Sequence, residues 1–168
     1  HEAMKEYQPK ESYMRVATAC PEVAIADVVK NAKRIIETYD NACKEDISLV
    51  AFPELSLTGY TIGDLVNQNG LLEGAKDSLV TLAKRTLDKN CAMIVGLPLQ
   101  VQNSLYNVGA LLADGRIKGI VPKQNLPTYG EFYEDRWYQA WDQNNTEIKI
   151  EDHNIPFGND ILFDLAGV

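Results

Sequence analysis

The apolar run ISLVAF (Ile47 to Phe52) stops at Pro53, and Glu54 follows at once. A run without polar alternation suits a strand covered on both faces, the pattern of parallel sheets whose strands are joined by helices. Pro53 removes a backbone donor and ends the ladder there. Both flanks supply the expected helices. Upstream, Ile25, Val28, Val29, Ala32, Ile35, Ile36, Tyr39 and Cys43 fall at helical spacing and predict one buried stripe. YMRVATAC (Tyr13 to Cys20) before them reads as a strand. Downstream, LSLTGYTIGDLVNQNG reads as a loop with a short helix from Asp64. An amphipathic helix follows, with Leu72, Ala75, Leu79, Leu82, Ala83 and Leu87 on one side. CAMIVGLPL (Cys91 to Leu99) is a second buried strand, closed by its proline.

LYNVGALLA and RIKGIVPK then flank Asp114-Gly115, the strongest short signal for a hairpin. The order β-α-β-α-β followed by an antiparallel hairpin predicts an α/β fold, a mixed sheet with helices packed on one face. Residues 122–141 read as a loop dense in aromatics and charge, and the remainder adds short strand-like pieces. Residues 1–12 form a polar segment, with a tag remnant expected at 1–3, and 13–168 are expected to be one partial domain. LFDLAGV at the end is a strand-and-turn pattern that leads onward, so the last element is expected to be cut.

Composition narrows the function. A chain of 168 residues, 45% hydrophobic, is long enough to bury a real core. Its formal net charge of −8, with Lys and Arg scattered, opposes a nucleic-acid binder, which needs a basic stripe. No window approaches the roughly 18 apolar residues of a membrane helix, and the polar start is no secretory signal. A cytoplasmic protein without a membrane partner is expected. Cys20, Cys43 and Cys91 are odd in number and widely spaced, which favours reduced thiols over a disulfide framework. With only His1 and His153, no zinc-like cluster is expected.

Three positions are candidates for chemistry. Glu54 stands at the carboxyl end of a buried strand, where open α/β sheets place their ligand crevice. Partial loss of hydration there makes a glutamate a better base near neutral pH. The alternative is a loop carboxylate capping the Ser56–Gly59 turn. Lys123 repeats the pattern of apolar run, proline and charged exit, and a lysine near a carboxylate can steady an oxyanion. The alternative is an ordinary strand-end lysine. In LPTYGEFYEDRWY, Glu131, Glu134, Asp135 and Arg136 interleave with Tyr129, Phe132, Tyr133, Trp137 and Tyr138. Such a block can line a small-molecule pocket, or form a surface helical turn with weak i,i+3 ion pairs.

Together VAFPELSLTGY, DGRI and VPKQNLPTYGEFYEDRW resemble the nitrilase, or carbon-nitrogen hydrolase, superfamily over nearly the whole chain. LPTYGEFYEDRW with IPFGNDILF looks most like one branch, the glutamine amidohydrolase domain of glutamine-dependent NAD synthetases. The resemblance implies an α-β-β-α sandwich with mixed sheets and a Glu-Lys-Cys triad. Glu54 matches the general base and Lys123 the lysine. Glu134 matches a supporting glutamate, while Tyr60, Tyr129 and Phe132 fall at substrate-pocket positions. None of the three cysteines matches the nucleophile, which the family carries shortly after the IPFG…LF segment. The chain is therefore expected to be truncated before the cysteine strand and inactive alone. The resemblance further implies L-glutamine as substrate and homo-oligomers. It also implies a separate ATP- and Mg²⁺-dependent synthetase domain that converts deamido-NAD to NAD, of which these residues encode nothing. Alternatives are another amidase of the superfamily, or a non-catalytic binding domain if Val168 is the natural end.

Overall fold

The computed structural model describes residues 15–59, 69–124 and 138–161. Strand β1 (Val16–Thr18) leads to helix α1 (Val28–Cys43), strand β2 (Leu49–Ala51) and helix α2 (Asn69–Arg85). Five strands follow: β3 (Ala92–Val101), β4 (Ser104–Ala113), β5 (Arg116–Pro122), β6 (Thr146–Ile150) and β7 (His153–Phe157). They form one seven-stranded sheet of order β1-β2-β3-β4-β5-β7-β6. β1, β2 and β3 are parallel, β3-β4-β5 antiparallel, and β7 lies parallel to β5. This mixed sheet with its helices is the α-β half of the expected sandwich.

Two successive parallel crossovers run in the same direction across the sheet, and their right-handedness puts α1 and α2 on one face. Val28, Ile35 and Tyr39 of α1 and Ala75, Leu79 and Leu82 of α2 share one core with Val50, Met93, Val95 and Leu97. Burying each large aliphatic side chain contributes roughly 1.5–3 kcal/mol. Helix α1 starts at Asp27, whose carboxylate accepts from the Lys30 amide at 3.1 Å and satisfies one of the unpaired first-turn donors. Side chains alternate in direction along β3, and Val95 to Leu99 are buried without a break. Met93, Val95, Leu97 and Leu99 face the helices, while Ile94, Gly96, Pro98 and Gln100 face the other side.

Several expectations shift. Ile25 and Val29 do not join the buried stripe but are 69% and 78% exposed. Ile25 precedes the N-cap, and Val29 sits about 100° round the helix from Val28, off the stripe. Leu87 lies past the end of α2 and is exposed. Pro98 does not close β3 but sits inside it, opposite Asn107. The Gly96 amide and carbonyl point toward the β2 side, so the Pro98 nitrogen does too, and β2 has already ended there. The Asp114-Gly115 turn is as expected, both residues at positive φ (55° and 78°). Gln102-Asn103 and Glu151-Asp152 make two further tight turns of the same kind, joining β3 to β4 and β6 to β7.

Candidate active site

Glu54 and Lys123 leave the sheet at the same edge. β2 and β5 run in the same direction, so the residues after their carboxyl ends emerge together although two strands lie between. Lys123 Nζ donates to Glu54 Oε2 at 3.0 Å. The pair is partly wet: the lysine side chain is 23% exposed and the glutamate 44%. The glutamate therefore keeps more water than a buried strand exit predicts, and the lysine is a direct charge partner.

The backbone beneath Glu54 is tightly held. After Ala51 the chain leaves the β ladder and turns across β3. The Phe52 amide donates to the Ile94 carbonyl at 2.9 Å and the Leu57 amide to the Gly96 carbonyl at 3.0 Å. Ser56 Oγ accepts from the Gly96 amide at 3.1 Å. Leu55 takes a left-handed conformation (φ 52°) with its side chain buried, and the Gly59 amide closes the turn on the Leu55 carbonyl at 2.7 Å. Gly96 is what lets the turn approach. A Cβ there would press into the Leu55 amide nitrogen and stand 2.9 Å from the Pro53 carbonyl oxygen. Gly96 pairs with Gly109 on β4, so the sheet face beside the turn is bare of side chains across both strands. Both glycines stand mid-strand, a position at which glycine marks close backbone approach.

Lys123 is fixed from two sides. Its amide continues the β4 ladder, donating to the Asn107 carbonyl at 2.7 Å. Gln124 Nε2 donates to Asn159 Oδ1, and Asn159 Nδ2 donates to the Trp141 carbonyl at 3.0 Å. The Gly158 amide bonds the Ile120 carbonyl at 3.2 Å. Trp141 and Phe157 stack edge to face, 4.8 Å between centroids, beneath this corner. The IPFGND segment thus braces the strand end that carries the lysine.

Sequence reasoning overlooked Asn31. It lies on the apolar stripe of α1, is 1% exposed, and its amide donates to the Leu57 carbonyl at 2.9 Å. Its one signal was a polar residue at stripe spacing. Tyr60, Tyr129, Phe132 and Glu134, with Glu131, Tyr133, Asp135, Arg136 and Trp137, lie outside the described residues. Tyr138 is buried in a small cluster with Leu55, Leu72 and Leu105.

The cysteines sit elsewhere. Cys43 and Cys91 line a cavity of about 540 Å³ with Asp40 and Arg85, at the amino ends of β2 and β3, opposite the Glu54 edge. Burial pushes the Cys91 thiol up to about 12, with Cys43 beside it adding to the effect. Cys20 is exposed after β1. Among the described residues no group of three or more His, Cys, Asp or Glu is placed to hold a metal ion. Among them, too, no helix is long and apolar enough to cross a membrane.

A paired carboxylate and ammonium at the carboxyl edge of a sheet can take up a proton and steady an anion within a few ångströms of each other. Known proteins share the arrangement's framework. The sequence pattern of the Carbon-nitrogen hydrolase family matches residues 15–159. The glutamine-dependent NAD(+) synthetase of Mycobacterium tuberculosis is 36% identical over 159 residues, covering 92% of this chain and 23% of the relative. That of Xylella fastidiosa is 31% identical over 154 residues, 91% of this chain and 28% of the relative. The chain thus spans about a quarter of the length of the curated relatives it matches. The crystal structure of a glutamine-dependent NAD(+) synthetase from Cytophaga hutchinsonii superposes with a TM-score of 0.78 at 29% identity, covering 86% of this chain and 25% of that one. An amidase from Nesterenkonia sp. shares the fold, with a TM-score of 0.64 at 18% identity over 85% of this chain and 54% of that one.

Proposed function

This chain belongs to the carbon-nitrogen hydrolase family, and on that premise we propose that it is the glutamine-hydrolysing, ammonia-supplying part of a glutamine-dependent NAD synthetase. The single observation that carries the proposal is the 3.0 Å contact between Lys123 Nζ and Glu54 Oε2. The relatives' names supply the substrate class.

In this mechanism Glu54 removes the proton from a cysteine thiol that none of Cys20, Cys43 or Cys91 matches. The thiolate attacks the side-chain carboxamide carbon of L-glutamine, and the tetrahedral oxyanion is held by the Lys123 ammonium. Collapse forms a thioester, and Glu54 returns its proton to the departing nitrogen, releasing ammonia. Glu54 then activates water, which frees glutamate and the thiol. Glu134 supports the site, and Tyr60, Tyr129 and Phe132 line the glutamine pocket. ATP and Mg²⁺ act in a separate synthetase portion that converts deamido-NAD to NAD, and the assembly is a cytoplasmic homo-oligomer. The chain alone, lacking the nucleophile, turns over no glutamine.

The test is product analysis with the full-length protein that carries this chain. Given glutamine, ATP, Mg²⁺ and deamido-NAD, it should form glutamate and NAD together. Hydrolysis of simple aliphatic amides without glutamine hydrolysis would assign it to another amidase of the family.

A further inference from the structure

Asn31 places an amide on the apolar stripe of a helix, where a leucine would bury more hydrocarbon. Nδ2 donates to the Leu57 carbonyl at 2.9 Å and to the Ala24 carbonyl at 2.7 Å, while Oδ1 accepts from the Ala24 amide at 2.7 Å. Both N–H donors and the oxygen are thus engaged, and a donor amide at Ala24 requires the oxygen on that side. A buried amide persists only when satisfied in this way.

We infer that Asn31 is a positioning residue for the reaction: by tying the turn that follows Glu54 to helix α1, it sets where the Glu54 carboxylate meets Lys123. The inference rests on Glu54 being the base, as proposed above. Its geometry is that of a clamp. From one side Asn31 holds the Leu57 carbonyl, and the Ala26 amide holds the Thr58 carbonyl at 2.7 Å. From the other, the Gly96 amide and carbonyl hold Ser56 and Leu57. Glu54 itself is exposed, so its place follows from this backbone more than from packing of its own side chain. Between Glu54 and the Asn31 contact lie only Leu55 and Ser56, both in the closed turn. Loss of the amide leaves the Leu57 carbonyl, the Ala24 carbonyl and the Ala24 amide to find other partners, and the turn relaxes away from α1. Near-attack geometry is sensitive on that scale, about a hundredfold in rate for about 1 Å.

A double-mutant cycle in the full-length enzyme tests this, with Asn31→Ala, Glu54→Gln and the pair. Ammonia-dependent NAD formation serves as the check on folding. Asn31→Ala should lower the glutaminase kcat about 10- to 100-fold while KM for glutamine moves less than about threefold. In the Glu54→Gln background it should remove less than about a further twofold, because it acts through Glu54. Should Asn31→Ala depress the ammonia-dependent rate, Asn31→Ser, which keeps a hydroxyl donor, is put through the same cycle. An Asn31 variant with parental kcat, or an equal loss with and without Glu54, overturns the inference while leaving the base assignment intact. A Glu54→Gln enzyme with parental glutaminase activity overturns the base assignment, and this inference with it.

Discussion

Lys123 Nζ and Glu54 Oε2 lie 3.0 Å apart although 69 residues separate them in the chain and two strands separate their elements in the sheet. The ammonium serves two purposes in the proposed reaction. It keeps the carboxylate oriented in the resting site and later faces the oxyanion. Replacing it removes transition-state stabilisation that is made once charge develops. Lys123→Met should lower the glutaminase kcat about 10²- to 10³-fold. Lys123→Arg should not restore it, since a planar fork does not reproduce a compact point charge. Steady-state glutamate release checks both. An Arg variant with near-parental kcat would show that charge alone suffices.

Gly96 predicts a contrast with Gly74. A methyl group at Gly96 meets the Leu55 amide nitrogen and the Pro53 carbonyl oxygen, so Gly96→Ala must displace the Glu54 turn. At Gly74, in the middle of α2, an added Cβ has no neighbour within 4 Å. Gly74→Ala should therefore stabilise by about 0.5–1 kcal/mol through helix propensity. Gly96→Ala should destabilise by about 1–3 kcal/mol through overpacking, with loss of glutaminase activity. Thermal denaturation of the two variants, side by side, checks the contrast, and a Gly96→Ala variant as stable as the parent would contradict it.

Helices α1 and α2 are joined by Asp40 and Arg85, with Nε to Oδ1 at 3.1 Å and Nη2 to Oδ2 at 2.5 Å. The guanidinium hydrogen bonds hold the Asp40 carboxyl below its ordinary range. A depressed carboxyl contributes stability that is complete above its unfolded value of about 4 and disappears as pH falls through the lower folded value. The arginine side chain is 50% and the aspartate 30% exposed, so solvent screens the pair and its share is small. Arg85→Gln should lower the urea midpoint slightly at neutral pH, and the difference should vanish once pH falls below the folded-state value. A difference that persists in strong acid would mean that Arg85 acts by packing.

The thiols should react in the order of their exposure. Cys20 is exposed, Cys43 half-buried, and Cys91 buried with its thiol pushed up to about 12. Alkylation of the native protein at mildly alkaline pH, followed by peptide mass spectrometry, should modify Cys20 first and Cys91 last. Tyr39→Phe should loosen the same corner, because the phenol donates to the Cys91 carbonyl at 2.5 Å inside the core. The expected loss is about 1–2 kcal/mol, with earlier labelling of Cys91.

Much of the fold was readable because local pattern and tertiary role agree. Val50 is apolar and central, Asp114-Gly115 carries the φ values its turn requires, and Ala75, Leu79 and Leu82 recur at helical spacing and are buried. The departures have physical causes. Val29 and Leu87 are apolar residues beyond the contact face, which periodicity alone counts as core. Pro98 is tolerated because its nitrogen points to where β2 has ended, a fact of register that no local signal holds. The site divides in the same way. Glu54 and Lys123 were legible as charged exits from apolar runs. Their pairing depends on β2 and β5 running in the same direction, which emerges only once the β3-β4-β5 antiparallel pairing is fixed. Asn31 reads as a blemish in the stripe until the Leu57 carbonyl is seen above it.

Substituting Glu54 addresses the central claim most directly. In the full-length enzyme, Glu54→Gln keeps the size and hydrogen-bonding reach of the side chain and removes its basicity. NAD formation should be measured in parallel with glutamine and with ammonium as the nitrogen source. Loss of the glutamine-dependent rate by about 10²-fold or more, with the ammonium-dependent rate retained, is the predicted result. Parental glutamine-dependent activity in that variant would contradict the assignment of Glu54 as the base.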